Sequence, residues 1–404
     1  LSNTQDLILP QLAKHHQQVA YLAFRLSQHI NLPFKEQKEV FLASLMHDIG
    51  ALSAEEKLEL VEIEPITVNS HAFKGAKLLE GFWPLKKEAN IIKYHHVPWE
   101  NGMGKKFQGN DVPFASHIIH LADRTCTKLK PSINVLSQIP NVLLQINNQS
   151  GSVFEPNLVK ALYELSQKEY IWLDIISNSP VDKLPKNLLD TLILDIDDII
   201  DFSAIFSQII DFKSRFTASH SAGVAKTAEK LAELLGFSNY ECKMMLISGY
   251  LHDLGKVAIS NSILEKQGSL TQEELNEIHT HTYHTYQLLA TIPEFKTINI
   301  WASYHHERLD GKGYPFHIKG DELPLGSRIL AAADVFTAIT EDRPYRRAMS
   351  RDKAIQVLNN MVKNLVLDKN VVEILINNFD VINDIRAKAQ YEAVSRYSNF
   401  MKMH

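Results

Sequence analysis

The sequence carries two sets of histidines and acids in the same order. The second half holds His220, the adjacent His252 and Asp253, His281, the adjacent His305 and His306, and Asp334. The first half holds His15, the adjacent His47 and Asp48, His71, the adjacent His95 and His96, and Asp123. One histidine on an apolar helical face is more often a core residue than a ligand. A whole set that recurs with its spacing in two otherwise diverged stretches argues for metal binding. Neutral imidazoles mixed with carboxylates suit iron, manganese, nickel or zinc. Calcium and magnesium sites are mostly oxygen, and structural zinc sites use thiolates. An adjacent His-Asp delivers two ligands from one backbone element, and its carboxylate can bridge two ions. Two such ions share a hydroxide able to attack phosphorus at neutral pH while they balance the charge on the leaving oxygen.

The elements that must position these residues also repeat. "HAFKGAKLL" from His71 parallels "HTYHTYQLL" from His281, and "SHIIHLAD" ending at Asp123 parallels "SRILAAAD" ending at Asp334. Two copies of one fold, joined head to tail, are therefore expected at 1–177 and 212–404. Between them, 178–211 opens with the helix breakers Pro180 and Pro185 and continues as an acidic amphipathic stretch, which predicts a connecting helix. In "VAKTAEKLAELLGF" apolar residues recur every three or four positions, and Gly236 is a natural stop. Thr271 and Glu274 stand in capping-box register ahead of another helix. Runs of β-branched residues alternating with turns are scarce, so the chain is expected to be all-α.

A chain of 404 residues exceeds what one core usually organises. With 45% hydrophobic and 22% charged residues it reads as globular, and a net charge of -5 argues against a protein that coats polymeric nucleic acid. Two cysteines, Cys126 and Cys242, imply no disulfide framework and suit a cytoplasmic location. No uncharged apolar run reaches the length of a membrane span, and no signal peptide opens the sequence. The chain starts on Leu1 rather than Met, which leaves room for an upstream segment.

The motifs "HDLGK" at 252–256, "HHERLDGKGYP" at 305–315 and "AADVFTAITEDRPYR" ending at Arg346, standing in that order, resemble the HD-GYP family of phosphodiesterases. That resemblance covers about 212–380 and implies a five-helix HD core with extra helices. Position by position, it implies a first metal on His220, His252, Asp253 and Asp334, and a second on Asp253, His281 and His305. It implies His306 as a ligand toward a third ion. Members with three metals also use a glutamate four residues before the first histidine, where this chain has Phe216, so two ions are expected, with His306 on the second ion or on the scissile phosphate.

The resemblance also implies the substrate contacts. Lys256 is expected near the metals, facing a phosphate oxygen. Arg343 and Arg346 are expected to grip phosphate. The loop carrying Asp310, Gly311, Gly313 and Tyr314 is expected to shape the active site and to meet signalling partners. Its glycines permit positive φ and close backbone approach, and Tyr314 either positions a base or packs inside the loop.

The activity implied is hydrolysis of bacterial 3',5'-linked cyclic dinucleotides, cyclic di-GMP or 3',3'-cyclic GMP-AMP. The route is attack by a metal-bound hydroxide, and the product is the linear 5'-phosphorylated dinucleotide. The alternatives are a receptor that binds such a nucleotide without cleaving it, and an HD oxygenase with a diiron centre, which gives no reason for the GYP loop or the arginines. The chain is thus expected to hold two tandem HD-type helical domains joined by a helical linker. The first copy keeps its candidate metal ligands His15, His47, Asp48, His71, His95, His96 and Asp123, but has Ala51 opposite Lys256 and "VPWENGMGK" opposite the GYP loop. A metal-holding, regulatory domain is the preferred reading for it, over a second working site or metal kept for stability.

Overall fold

The computed structural model describes residues 14–53, 56–58, 69–188, 194–211, 219–342 and 346–401. Phe216 and Arg343 lie outside the described residues. The chain divides into two compact units, Leu1–Ile193 and Leu194–Lys402. The first contains α1 (His15–His29), α2 (Phe34–Met46), α3 (Asn69–Leu79), α4 (Lys86–Lys93), α5 (Phe114–Thr127), α6 (Val135–Asn147), α7 (Pro156–Ser166) and α8 (Glu169–Ile175). Its only strands among the described residues are β1 (Lys106–Phe107) and β2 (Asn110–Asp111), paired antiparallel. The second contains α9 (Ile196–Asp211), α10 (His220–Leu234), α11 (Asn239–Leu251), α12 (Asn261–Leu264), α13 (Gln272–Ala290), α14 (Lys296–Ser303), α15 (Leu325–Thr340), α16 (Arg351–Lys363), α17 (Lys369–Asn377) and α18 (Phe379–Met401). The fold is all-α.

Local chemistry sets the helix starts. α11 begins with a capping box of Ser238 and Glu241, and α13 with one of Thr271 and Glu274, in which Thr271 Oγ1 accepts from the Glu274 N–H at 3.2 Å and Glu274 Oε2 accepts from the Thr271 N–H at 2.6 Å. The core of the second unit threads Val224, Ala228 and Leu231 of α10 against Phe336 of α15 and Leu375 of α17. Burying these apolar faces is what holds helices that would be marginal alone.

α9, the helix expected within the connecting stretch 178–211, belongs to the second unit. Its Ile210 is buried with Ile247, Leu251, Leu254 and Ile298, and Ile196, Ile199, Ile200 and Phe206 pack on the same cluster. Periodicity shows that such a helix has an apolar side; it does not show what will cover that side.

The turn after each His-Asp pair is seated backbone on backbone. A Cβ on Gly50 would lie 2.1 Å from the His71 carbonyl oxygen, and one on Gly255 would lie 1.9 Å from the His281 carbonyl oxygen. Any side chain there would force apart the two elements that carry three of the site's side chains. Cys126 and Cys242 are buried and form no disulfide. No helix among the described residues is long and apolar enough to cross a membrane.

Candidate metal centre

In the second unit the seven singled-out side chains come from three helices and from the turns that end two others. His220 opens α10, His252 caps the C-terminus of α11 with Asp253 beside it, and His281 lies within α13. His305 and His306 follow α14, and Asp334 lies within α15. Three imidazoles are oriented alike. Nδ1 of His252 bonds to the Gly249 carbonyl at 2.7 Å, that of His281 to Ile278 at 2.6 Å, and that of His305 to Ala302 at 2.7 Å. This geometry assigns the proton to Nδ1 and turns the Nε2 lone pair inward.

The inward atoms meet no hydrogen-bond partner. Nε2 of His252, His281 and His305 and Oδ1 of Asp253 are buried without one. Buried polar atoms are normally satisfied, so a group of them facing one point calls for an ion. Ligand atoms of His220, His252 and Asp334 lie within 4.8 Å of one another, as do those of His252, Asp253 and His305, and those of His281, His305 and His306. The two oxygens of Asp253 face different histidines: Oδ2 is 3.2 Å from His252 Nε2 and Oδ1 is 3.3 Å from His281 Nε2. The residues fit a divalent metal centre in position, burial and donor type.

Electrostatics prepares most of these ligands. Burial lowers the pKa of His281 to about 3 and of His305 to about 4, and holds His306 well below its usual range. All three are neutral at pH 7 and ready to donate. Asp253 is held well below the carboxylate range because His252 and Lys256 outweigh its burial. Unlike those three histidines, His220 is raised to about 10, since Glu341 and Asp334 outweigh its burial. It must therefore shed a proton to bind a cation, as metal binding at such sites requires.

Around this centre, Lys256 Nζ donates to Asp253 Oδ2 at 2.6 Å from a short 3-10 turn just past the end of α11. Tyr314 reaches the centre's rim, with its ring 4.9 Å from that of His306, and burial together with Asp253 and Asp334 pushes its hydroxyl upward in pKa. Gly311 has φ +72°, which its turn requires. Gly313 serves close approach instead, since a Cβ there would lie 2.4 Å from the Glu307 Cα. Asp310 is engaged inside the loop: Arg308 donates to its Oδ2 at 2.6 Å and the Lys312 N–H to its Oδ1 at 3.0 Å. Arg346 is exposed and donates to the Ala338 carbonyl, one turn along α15 from Asp334.

Sequence reasoning passed over several supporting residues. Glu307 is buried and accepts from the N–H groups of Phe316 at 2.6 Å, His317 at 3.1 Å and Ile318 at 3.1 Å, so its carboxylate ties down the loop beyond the GYP triplet. Glu341 and Gln390 stand behind His220, and Asp211 accepts from Ser221 Oγ at 2.8 Å beside it. The place of Glu307 directly after His306 was the one available signal. Gln390 gave none, because its contact exists only through tertiary packing.

The first unit assembles a parallel cluster. His15 Nε2 is 3.0 Å from Asp123 Oδ1, and His71 Nε2 is 3.3 Å from Asp48 Oδ1. Ligand atoms of Asp48, His71, His95 and His96 lie within 4.8 Å of one another, as do those of His15, His47 and Asp48. His47 and His95 again bond through Nδ1 to carbonyls, Ser44 at 2.8 Å and Ile92 at 2.7 Å. The surroundings differ. Arg124 Nε and Nη2 donate to Asp123 Oδ2 at 2.9 and 2.7 Å, and the Asp123 side chain is 2% exposed against 16% for Asp334.

Residues 2–128 and 204–371 match a family described as HD domain. A 3'3'-cGAMP-specific phosphodiesterase 1 of Vibrio cholerae serotype O1 is 33% identical over 375 residues, which span 90% of this chain and 86% of that protein. The cyclic di-GMP phosphodiesterase response regulator RpfG of Xanthomonas campestris pv. campestris is 37% identical over 155 residues, 38% of this chain and 41% of that protein. A crystal structure of a cyclic GMP-AMP specific phosphodiesterase of V. cholerae, V-cGAP3, shares the fold with a TM-score of 0.62 at 23% identity, covering 94% of this chain and 95% of that one.

Proposed function

The chain belongs to the HD domain family, and from that premise we propose that it is a metal-dependent phosphodiesterase that opens bacterial 3',5'-linked cyclic dinucleotides to the linear 5'-phosphorylated form, with the second unit as its working half. The observation that carries this is the set of inward Nε2 atoms of His252, His281 and His305, buried without partners around Asp253. His220, His252, Asp253 and Asp334 would hold one divalent ion, and Asp253, His281 and His305 a second, with His306 beside the second. Iron, manganese, nickel and zinc all suit these donors. Such ions, when bound, acidify a water and offset charge on a departing oxygen.

The chain's own residues do the rest. The in-line displacement forms a bond from phosphorus to a water oxygen and breaks the bond to the 3' oxygen, which leaves with a proton. Lys256 keeps Asp253 ionised and offers a cation at the entrance to the centre, where a non-bridging phosphate oxygen would sit. Glu307 and Gly313 hold the loop in a fixed shape against His306, which keeps the substrate's position constant. Arg343 and Arg346 are the proposed phosphate grips of the segment after α15.

The substrate preference we infer is 3',3'-cyclic GMP-AMP, because similarity to a phosphodiesterase specific for it runs along both units, whereas the match to the cyclic di-GMP enzyme covers 38% of this chain. For the first unit we infer metal holding without hydrolysis. Arg124 occupies Asp123, Ala51 supplies no cation in place of Lys256, and the stretch opposite the GYP segment forms a 3-10 turn, Glu100–Lys105, that leads into the β1–β2 hairpin. The test is parallel hydrolysis of both nucleotides by protein reconstituted with Mn²⁺ or Fe²⁺. Faster cleavage of 3',3'-cyclic GMP-AMP to a linear product, lost on chelation, is expected. Failure to cleave either nucleotide, or cleavage that survives chelation, overturns the reading.

A further inference from the structure

The rings beside the centre form a continuous stack that the hydrolytic chemistry does not use. Tyr314 lies 3.9 Å from His279 at an interplanar angle of 16°, and 4.9 Å from His306 at 34°. The His279 contact is stacked and the His306 contact is tilted, so Tyr314 bridges the two imidazoles. Tyr314 thus packs against the rings of the site. His279 is the outer member. It is exposed, and among the described residues Tyr314 is the only ring it touches.

The setting argues for a ligand there rather than for surface decoration. His279 sits two residues before the ligand His281 on α13, and the ring carried by the same helix at Tyr283 packs with Phe316 at 6.2 Å, on the other side of the cis Tyr314-Pro315 step. The row of rings therefore runs from His306, at the edge of the centre where the substrate phosphate is expected to approach, to the exposed His279. From a phosphate to the base of its own nucleoside is one ribose, a span comparable to two stacking steps. In the first unit the position equivalent to His279 is Asn69 and the GYP triplet is absent, so that unit lacks the stack altogether.

We propose that the outer face of His279, backed by Tyr314, is the platform on which one nucleobase of the cyclic dinucleotide stacks, and that this contact holds the substrate in register with the centre. The inference rests on the phosphodiesterase reading and extends it to base recognition. Aromatic stacking of this kind tolerates either purine and contributes to binding rather than to the chemical step.

Two measurements on the full chain test it. In steady-state hydrolysis of 3',3'-cyclic GMP-AMP, His279→Ala should raise KM roughly tenfold with a much smaller fall in kcat, and His279→Trp should restore KM. Metal content should match the wild type in both. In stopped-flow mixing with a cyclic dinucleotide carrying 2-aminopurine, the wild type should quench the probe on binding, His279→Ala should bind without quenching, and His279→Trp should quench again. A role confined to propping Tyr314 would lower kcat and leave the quenching intact. Unchanged KM, or equal quenching in His279→Ala, overturns the platform while leaving wild-type hydrolysis standing. Absence of wild-type hydrolysis overturns the function beneath it.

Discussion

Glu341 backs His220: both its carboxylate oxygens lie 3.2 Å from the His220 Nδ1, while the opposite nitrogen of the ring is 3.0 Å from Asp334. Glu341 is held in turn by Gln390, whose Nε2 donates to it at 2.6 Å, and Arg386 donates to Gln390. A metal-ligating histidine whose far nitrogen is fixed by a carboxylate keeps its orientation and its basicity. Here that carboxylate is braced from α18, the last helix among the described residues.

Gln390→Leu should therefore weaken metal binding in the second unit by about 10- to 100-fold without unfolding it. Competitive titration against a chelating dye measures this, with circular dichroism as the control for helix content. A variant that binds metal as tightly as the wild type would remove Gln390 from the brace.

The two oxygens of Asp253, facing His252 and His281, make it the least replaceable ligand. Asp253→Ala should reduce kcat/KM for the cyclic dinucleotide by about a thousandfold or more, since metal-centred charge stabilisation supplies several kcal/mol. Asp48→Ala, in the first unit, should leave most of the turnover. Equal losses in the two variants would show that both units cut.

Gly313 has no space for a methyl group against the backbone at Glu307. Gly313→Ala should shift the loop and cost about a hundredfold in kcat/KM, as misplacement on the scale of an ångström does. Metal content should stay at the wild-type level, because no ligand side chain lies in that contact. Parallel loss of metal and activity would instead mean that the loop and the centre move together.

Asp211 gives a pH signature. Burial pushes its carboxyl up to about 7, despite the hydrogen bond from Ser221. An acid whose folded pKa lies above its unfolded value adds stability that is fully present below the unfolded pKa and is lost as pH rises through the folded one. In chelated protein that window runs from about 4 to about 7. Asp211→Asn should then raise Tm at pH 8 and have little effect at pH 5. A Tm difference independent of pH would rule out a protonated Asp211.

Much of this centre could be read from the chain, because ligand chemistry restricts residue type and a duplicated unit displays each position twice. His252 and Asp253, or His305 and His306, stand out for that reason, and the caps at Thr271 and Glu274 follow from local hydrogen bonding. What the sequence does not display is pairing at a distance. The brace from Gln390 to Glu341 spans two elements with no shared pattern, and the burial of α9 depends on which neighbour arrives. Asp310 shows a subtler limit. In Asp-Gly-x-Gly an acid aimed at substrate and an acid closing its own turn are written identically, and the structure has it bonded to Arg308 and the Lys312 N–H.

The seating of Gly50 against His71 and of Gly255 against His281 has a wider consequence. Because the tightest of these contacts are main chain to main chain, the gauge between the His-Asp turn and the next histidine is set by backbone approach. Substitutions such as Arg124 in one half and Lys256 in the other can then reset charge and access without altering the dimensions of the cage. The chain holds two electrically different chambers cut to a single measure.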